Sequence, residues 1–230
     1  MFFRKDYATP GPGIDPNAPE KTGTARFVEI LSLECPTLFK LNLIFLASCI
    51  PVITIPPAVY AMHCVVRRMV LDQTVDCFYH YRTAFRRHWR RGYAAFLLTA
   101  LPLTVSGCGV WFYLAGAMTR PLLLAPFVLC STVFLVTLLA STYLYGLLTT
   151  QTSVRQALRL ALLLGVGKPL RAVLAALSVY GTLTAAALAF PISAIYLLLI
   201  GFSFPCLLGN FFIRTVLKQF GGNRDENQEN

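Results

Sequence analysis

Residues 41–66 read LNLIFLASCIPVITIPPAVYAMHCVV, twenty-six residues with no charged side chain and with prolines at 51, 56 and 57. A straight helix of that length is about 39 Å long, enough to cross roughly 30 Å of hydrocarbon. The prolines allow a second reading, because each lacks an N–H and disfavours a helical residue before it. In that reading the chain rises over Leu38–Ile55, turns near Pro56 and Pro57, and returns over Pro57–Val70. The choice decides the side of the N-terminus and the number of helices that follow.

The rest of the chain has the same character. Of its 230 residues, 56% are hydrophobic and 13% charged, with mean hydropathy +0.62, which excludes an ordinary soluble domain. Further uncharged runs cover Gly92–Thr119, Pro121–Val154 and Ala172–Ile213. The last would be about 63 Å long as one helix, so it divides into two spans at Phe190-Pro191-Ile192-Ser193. Long apolar runs without strict alternation indicate helices rather than barrel strands. The expected fold is all-α: a polytopic transmembrane helix bundle with six membrane helices, a proline-broken first hairpin and basic cytoplasmic loops. A single first span gives the five-helix alternative.

Charge placement favours the hairpin. With six helices, nineteen of the twenty Lys and Arg residues fall on one side and only Arg120 on the other, which the positive-inside rule places in the cytoplasm together with both termini. The net charge of +10 then serves topology and anionic headgroups, and no nucleic acid is expected as a partner. The cations concentrate between the first and second uncharged runs, as Arg67, Arg68, Arg82, Arg86, Arg87, Arg90 and Arg91, with Trp89 among them. Phe78, Tyr81, Phe85 and Trp89 recur at helical spacing and should form an aromatic face against the bundle or the interface. Arg155 and Arg159 continue the basic face on a second inner-loop helix, Val154–Leu164, where Ser153 and Gln156 have capping-box spacing.

Three segments complete the organisation. Residues 1–23 are a Pro- and Gly-rich flexible leader without a signal-peptide pattern. Residues 24–218 form the membrane domain, opening with a short amphipathic helix, either interfacial or docked on the bundle, that Pro36 separates from the first span. Residues 219–230 are a polar tail.

No reactive constellation stands out. All ten acidic residues lie outside the expected membrane cores, and His63, His80 and His88 have no accompanying ligand series. There is no Walker-type loop, and the seven cysteines have no paired metal spacing. The chain is therefore read as non-enzymatic, with no catalytic, cofactor or metal residues.

The stretch from Leu41 through Ala58, followed by Tyr60–Arg68 and Phe78–Arg91, resembles the YesL-like family of bacterial multi-pass membrane proteins, a family of unknown function. The family's Asn and Pro-Val-x-Thr-Ile-Gly-Pro-Ala pattern falls on Asn42 and on Pro51, Val52, Thr54, Ile55, Pro57 and Ala58, with Pro56 where Gly is usual. Asn42, Pro51, Thr54, Pro56 and Pro57 are thus candidates for a structural hairpin or hinge. The resemblance implies a bacterial cell-membrane location and an accessory role in carbohydrate uptake.

The expected function is a membrane accessory or scaffold protein. Its basic cytoplasmic face would contact anionic lipid headgroups or a transporter or regulatory partner. The alternative is a small carrier or channel for a neutral solute such as a sugar. Oligomeric state is left open by the sequence.

Overall fold

The computed structural model describes residues 23–117, 120–150 and 153–218. The expected leader, apart from Gly23, and the polar tail lie outside the described residues. These residues form an all-helical bundle: α1 (Gly23–Ser48), α2 (Ile55–Val70), α3 (Cys77–Arg87), α4 (Trp89–Ala117), α5 (Leu124–Leu148), α6 (Val154–Gly167), α7 (Pro169–Ala176), α8 (Thr182–Leu188), α9 (Ala194–Leu199) and α10 (Ser203–Phe212). A π-helical turn, Leu177–Gly181, joins α7 to α8.

Among the described residues, four stretches are long and apolar enough to cross a membrane: Gly23–Ser48, Trp89–Leu114, Pro121–Leu148 and Pro169–Leu188. The chain is a polytopic helical membrane protein by this measure, which neither shows nor contradicts the expected count of six. Helix α2 is short, carries Arg67 and Arg68 in its last turn, and has ten buried residues. It packs among protein rather than presenting an apolar surface to lipid. The stretch beyond Pro191 also fails to make one span, because it breaks into α9 and α10.

Pro36 does not separate an interfacial helix from α1; it sits exposed inside a continuous helix. An interior proline costs about 3 kcal/mol. Here Ile30 on one side of it and Leu38 and Leu41 on the other are buried in one hydrophobic cluster, so packing of both flanks outweighs the lost hydrogen bond.

Helices α1 and α2 run antiparallel. At one end the Thr54 hydroxyl donates to the Ser48 carbonyl at 2.5 Å; at the other, Arg26 Nη2 lies 2.6 Å from Asp72 Oδ1. Asp72 has φ 61°, a left-handed conformation that Asp tolerates better than most residues. Its second oxygen pairs with Arg214 at 2.8 Å. The start of α1, the end of α2 and the segment after α10 therefore meet at one carboxylate.

The Cys49–Thr54 turn corrects the expected arrangement of faces. A Cβ on Gly92, in the first turn of α4, would stand 2.8 Å from Pro57 Cα and 2.9 Å from the Pro56 carbonyl oxygen, and the Tyr93 hydroxyl donates to the Ile53 carbonyl. The turn thus touches the helix start that follows Arg86–Arg91, rather than lying across a membrane from it. Ile50, Val52 and Ile53 are exposed apolar residues at this tip.

Candidate functional site

Helix α2 is the partition on which two sites are built. Pro56 and Pro57 occupy its first turn, where a missing N–H is harmless. Its helical period then separates two faces: Tyr60, Cys64, Arg67 and Arg68 line one cavity, while Val59, Met62 and His63 line another.

The first cavity, of about 160 Å³, gathers Arg67, Arg68, Arg87 and Arg91 with His80 and His88, and among the described residues no carboxylate lines it. Arg67 and Arg68 belong to the last turn of α2, and Arg87 to the last turn of α3, where the negative end of the helix dipole favours cations. Asp76 caps α3 by accepting from the Tyr79 amide at 3.2 Å. The chain then bends at His88, whose carbonyl accepts from the amides of Arg91 and Gly92 at 2.9 and 3.2 Å. That bend brings Arg91 into the cavity. Arg67 Nη1 donates to the Thr149 carbonyl at 2.8 Å, joining α2 to the end of α5. Burial, followed by the charges of Arg91 and Arg87, holds the His88 imidazole below the ordinary histidine range.

The other basic residues singled out in the sequence lie elsewhere. Arg82 and Arg86 line a shallow groove with Asp76, Phe78 and Tyr79, and Arg87 borders both. The Arg90 guanidinium lies 5.4 Å from the Trp89 ring centroid, within cation–π range. Arg155 and Arg159 are exposed on α6, where Ser153 accepts from the Gln156 amide at 3.3 Å. The expected aromatic face divides: Tyr81 is buried, whereas Phe78 and Trp89 are exposed. A helical stretch that bends at His88 cannot keep one continuous stripe.

The hinge candidates also separate. Thr54 closes the turn, donating to the carbonyls of Ser48 and Pro51. Asn42 is distant from that turn in role. Its side-chain amide donates to the carbonyls of Leu197 and Leu198 at 2.9 and 2.8 Å and accepts from the amides of Phe202 and Ser203 at 3.1 and 3.2 Å. One fully buried side chain satisfies both ends of the α9–α10 break.

The second cavity, of about 290 Å³, is mostly apolar and holds a polar set that the sequence reading missed. His63 stacks on Tyr145, with centroids 4.9 Å apart and 14° between planes. Asn210 Nδ2 lies 3.0 Å from His63 Nδ1, and the hydroxyls of Ser141 and Tyr180 are 2.7 Å apart. His63, Tyr145, Tyr180 and Asn210 come from four separate segments, so no sequence spacing announces them. The seven cysteines are free thiols, and among the described residues no group of three or more His, Cys, Asp and Glu is placed to hold a metal ion.

Residues 38–109 match the family described as "Protein of unknown function, DUF624", which supports homology to the YesL-like group over that segment. The match takes in Asn42, all of α2 and α3, and the four arginines of the first cavity; Thr149, Tyr145 and Asn210 lie outside it. No curated protein and no solved structure matches the chain.

Proposed function

We propose that this chain is a non-enzymatic membrane accessory or scaffold protein whose arginine-rich end faces the cytoplasm and receives anionic groups, from lipid headgroups or from a protein partner. The convergence of Arg67, Arg68, Arg87 and Arg91 on one cavity, which no carboxylate lines among the described residues, carries this reading. Four guanidinium groups so placed repel one another, and an anion relieves that repulsion. The Asp72 clamp, which joins Arg26 to Arg214, supports placing the start of α1 and the segment after α10 on the same side of the membrane. The family resemblance supports carbohydrate uptake as the setting.

Isolation from membranes in mild detergent, compared with a variant reversed in charge at Arg86, Arg87, Arg90 and Arg91, tests this reading. A specific protein partner, or anionic lipid, should be retained by the natural chain and lost from the variant. Equal retention by both would remove the basis for an anion-receiving end. Reporter fusions near residues 75, 160 and 225 should all report the cytoplasm.

A second reading, a small carrier for a neutral solute, is favoured by the cavity between His63, Tyr145, Tyr180 and Asn210. Its size lies near the lower end of small-molecule sites. Proteoliposomes showing no flux across a broad panel of neutral sugars would remove it.

A further inference from the structure

We infer that the second cavity, between α2, α4, α5 and α10, is a binding site for a neutral apolar ring bearing a carbonyl oxygen, the chemistry of a quinone headgroup. This shares the cavity of the second reading, narrows its ligand to one chemistry and needs no transport through it.

Asn210 decides which donors the cavity offers. Its Nδ2 lies 2.8 Å from the Cys206 carbonyl, so the amide nitrogen, not its oxygen, must face that acceptor. The same nitrogen lies 3.0 Å from His63 Nδ1 and has only hydrogens to offer, so Nδ1 accepts. An imidazole that accepts at Nδ1 is neutral and carries its proton on Nε2. Among the described residues Nε2–H has no partner, and it is not buried out of reach. His63 lines the cavity, and this donor is left to a ligand.

Tyr145, stacked on the same imidazole, supplies a second donor. Its hydroxyl is 3.5 Å from Thr99 Oγ1, too far to hold the hydrogen firmly. The other hydroxyls lining the cavity are committed. Thr99, Ser141 and Thr142 donate to the carbonyls of Ala95, Leu138 and Leu139 at 2.9, 2.7 and 2.8 Å, which leaves Tyr180 to donate to Ser141 at 2.7 Å.

The walls select the body of the ligand. Among the described residues no Lys, Arg, Asp or Glu lines the cavity, which disfavours an ion. Phe45, Val59, Met62, Leu103 and Phe202 do line it. A polyhydroxyl solute would leave hydroxyls unsatisfied against them, whereas a flat apolar ring packs on aromatic side chains. A volume near 290 Å³ suits a molecule of one or two rings.

Full-length protein in phosphatidylcholine nanodiscs should be titrated with duroquinone, with durene, which is the methylated ring without carbonyls, and with glucose, each against empty nanodiscs. Duroquinone should bind saturably and one-to-one, durene at least about tenfold more weakly, and glucose not at all. His63→Phe keeps an aromatic ring and removes Nε2–H. It should weaken duroquinone by about tenfold and leave durene unchanged. Tyr145→Phe keeps the stack, so it decides the matter should His63→Phe also lose durene, and it should weaken duroquinone by about threefold to tenfold.

Durene bound as tightly as duroquinone, duroquinone binding unaltered by Tyr145→Phe, or displacement of duroquinone by glucose overturns the site. Sugar flux in proteoliposomes without saturable duroquinone binding keeps the carrier reading and removes this one. Duroquinone bound without flux of any neutral sugar keeps this site and removes the carrier.

Discussion

Asn42 Oδ1 accepts the backbone amide of Ser203 from 161 residues away in sequence, at 3.2 Å. That bond belongs to a set of four by which one side chain replaces the helical hydrogen bonds missing between α9 and α10. Asn42→Ala leaves two carbonyls and two amides without this partner in the protein interior. At about 1–3 kcal/mol per unsatisfied group before relaxation, it should lower Tm in detergent far more than Thr104→Ala on the exposed side of α4. Asn42→Asp keeps the acceptor but turns a buried carboxylate oxygen toward the Leu197 and Leu198 carbonyls, so its Tm should also fall well below that of the natural chain. A Tm for Asn42→Ala equal to that of Thr104→Ala would show that the break is held by other contacts.

Gly92 is a close joint between α2 and α4. Gly92→Ala directs a methyl group into the backbone of Pro56 and Pro57, atoms that cannot rotate away. A loss of about 1–3 kcal/mol is expected, the usual range for overpacking. Gly167→Ala meets nothing within 4 Å and should be neutral or slightly stabilising. Parallel thermal unfolding of the two variants checks the contrast.

Asp72 combines a conformational role with an electrostatic one. Asp72→Asn retains tolerance for φ 61° and removes the charge that pairs with Arg26 and Arg214. Because the carboxylate is 39% exposed, the expected loss is only about 1 kcal/mol, and added salt should shrink it. Asp72→Ala should cost more at every salt concentration, since it adds left-handed backbone strain.

His88 should make stability fall on acidification. Its folded pKa lies below the ordinary value of 6.5, through burial first and then Arg91 and Arg87. The unfolded chain therefore binds the proton more readily. The stabilisation is fully present above the unfolded value and is lost as pH drops through it toward the folded value. The titratable groups that line the cavity with the imidazole are Tyr60, Cys64, Arg67, Arg68, His80, Arg87 and Arg91. Tm should fall between about pH 7.5 and 5.5, and His88→Gln should flatten part of that slope. An unchanged slope would assign the acid sensitivity to other groups.

Much of the architecture was open to reading before any coordinates. Uncharged runs longer than a bilayer, broken by arginine-rich connections, mark a polytopic helical protein because hydrocarbon offers no partner to backbone or charge. Ser153 was identifiable as a helix cap by its spacing to Gln156 alone. Pro36 misled, because a proline's local cost is visible in sequence and the burial of Ile30 and Leu41 on either side is not. How far the return arm is covered by protein was hidden for a related reason. Residues 57–70 have the composition of a short span, but burial of ten α2 residues follows from neighbours remote in sequence.

The sites divide along the same line. Basic residues near Arg67 and Arg86–Arg91 stood out by local density, yet only Arg67, Arg68, Arg87 and Arg91 share the cavity. Sorting them required the bend at His88. His63 and Asn210 lie 147 residues apart, and neither has a local pattern that names the other.

Sequence by itself determined the solvent this chain folds in, its helical class and the sites of its positive charge, because those follow from transfer free energies summed over neighbouring residues. Tertiary structure alone decided which arginines converge, that Asn42 seals a broken helix, and that the proline turn rests on α4. These are contacts between segments far apart along the chain. Their energies depend on distances of a few ångströms that no local periodicity encodes.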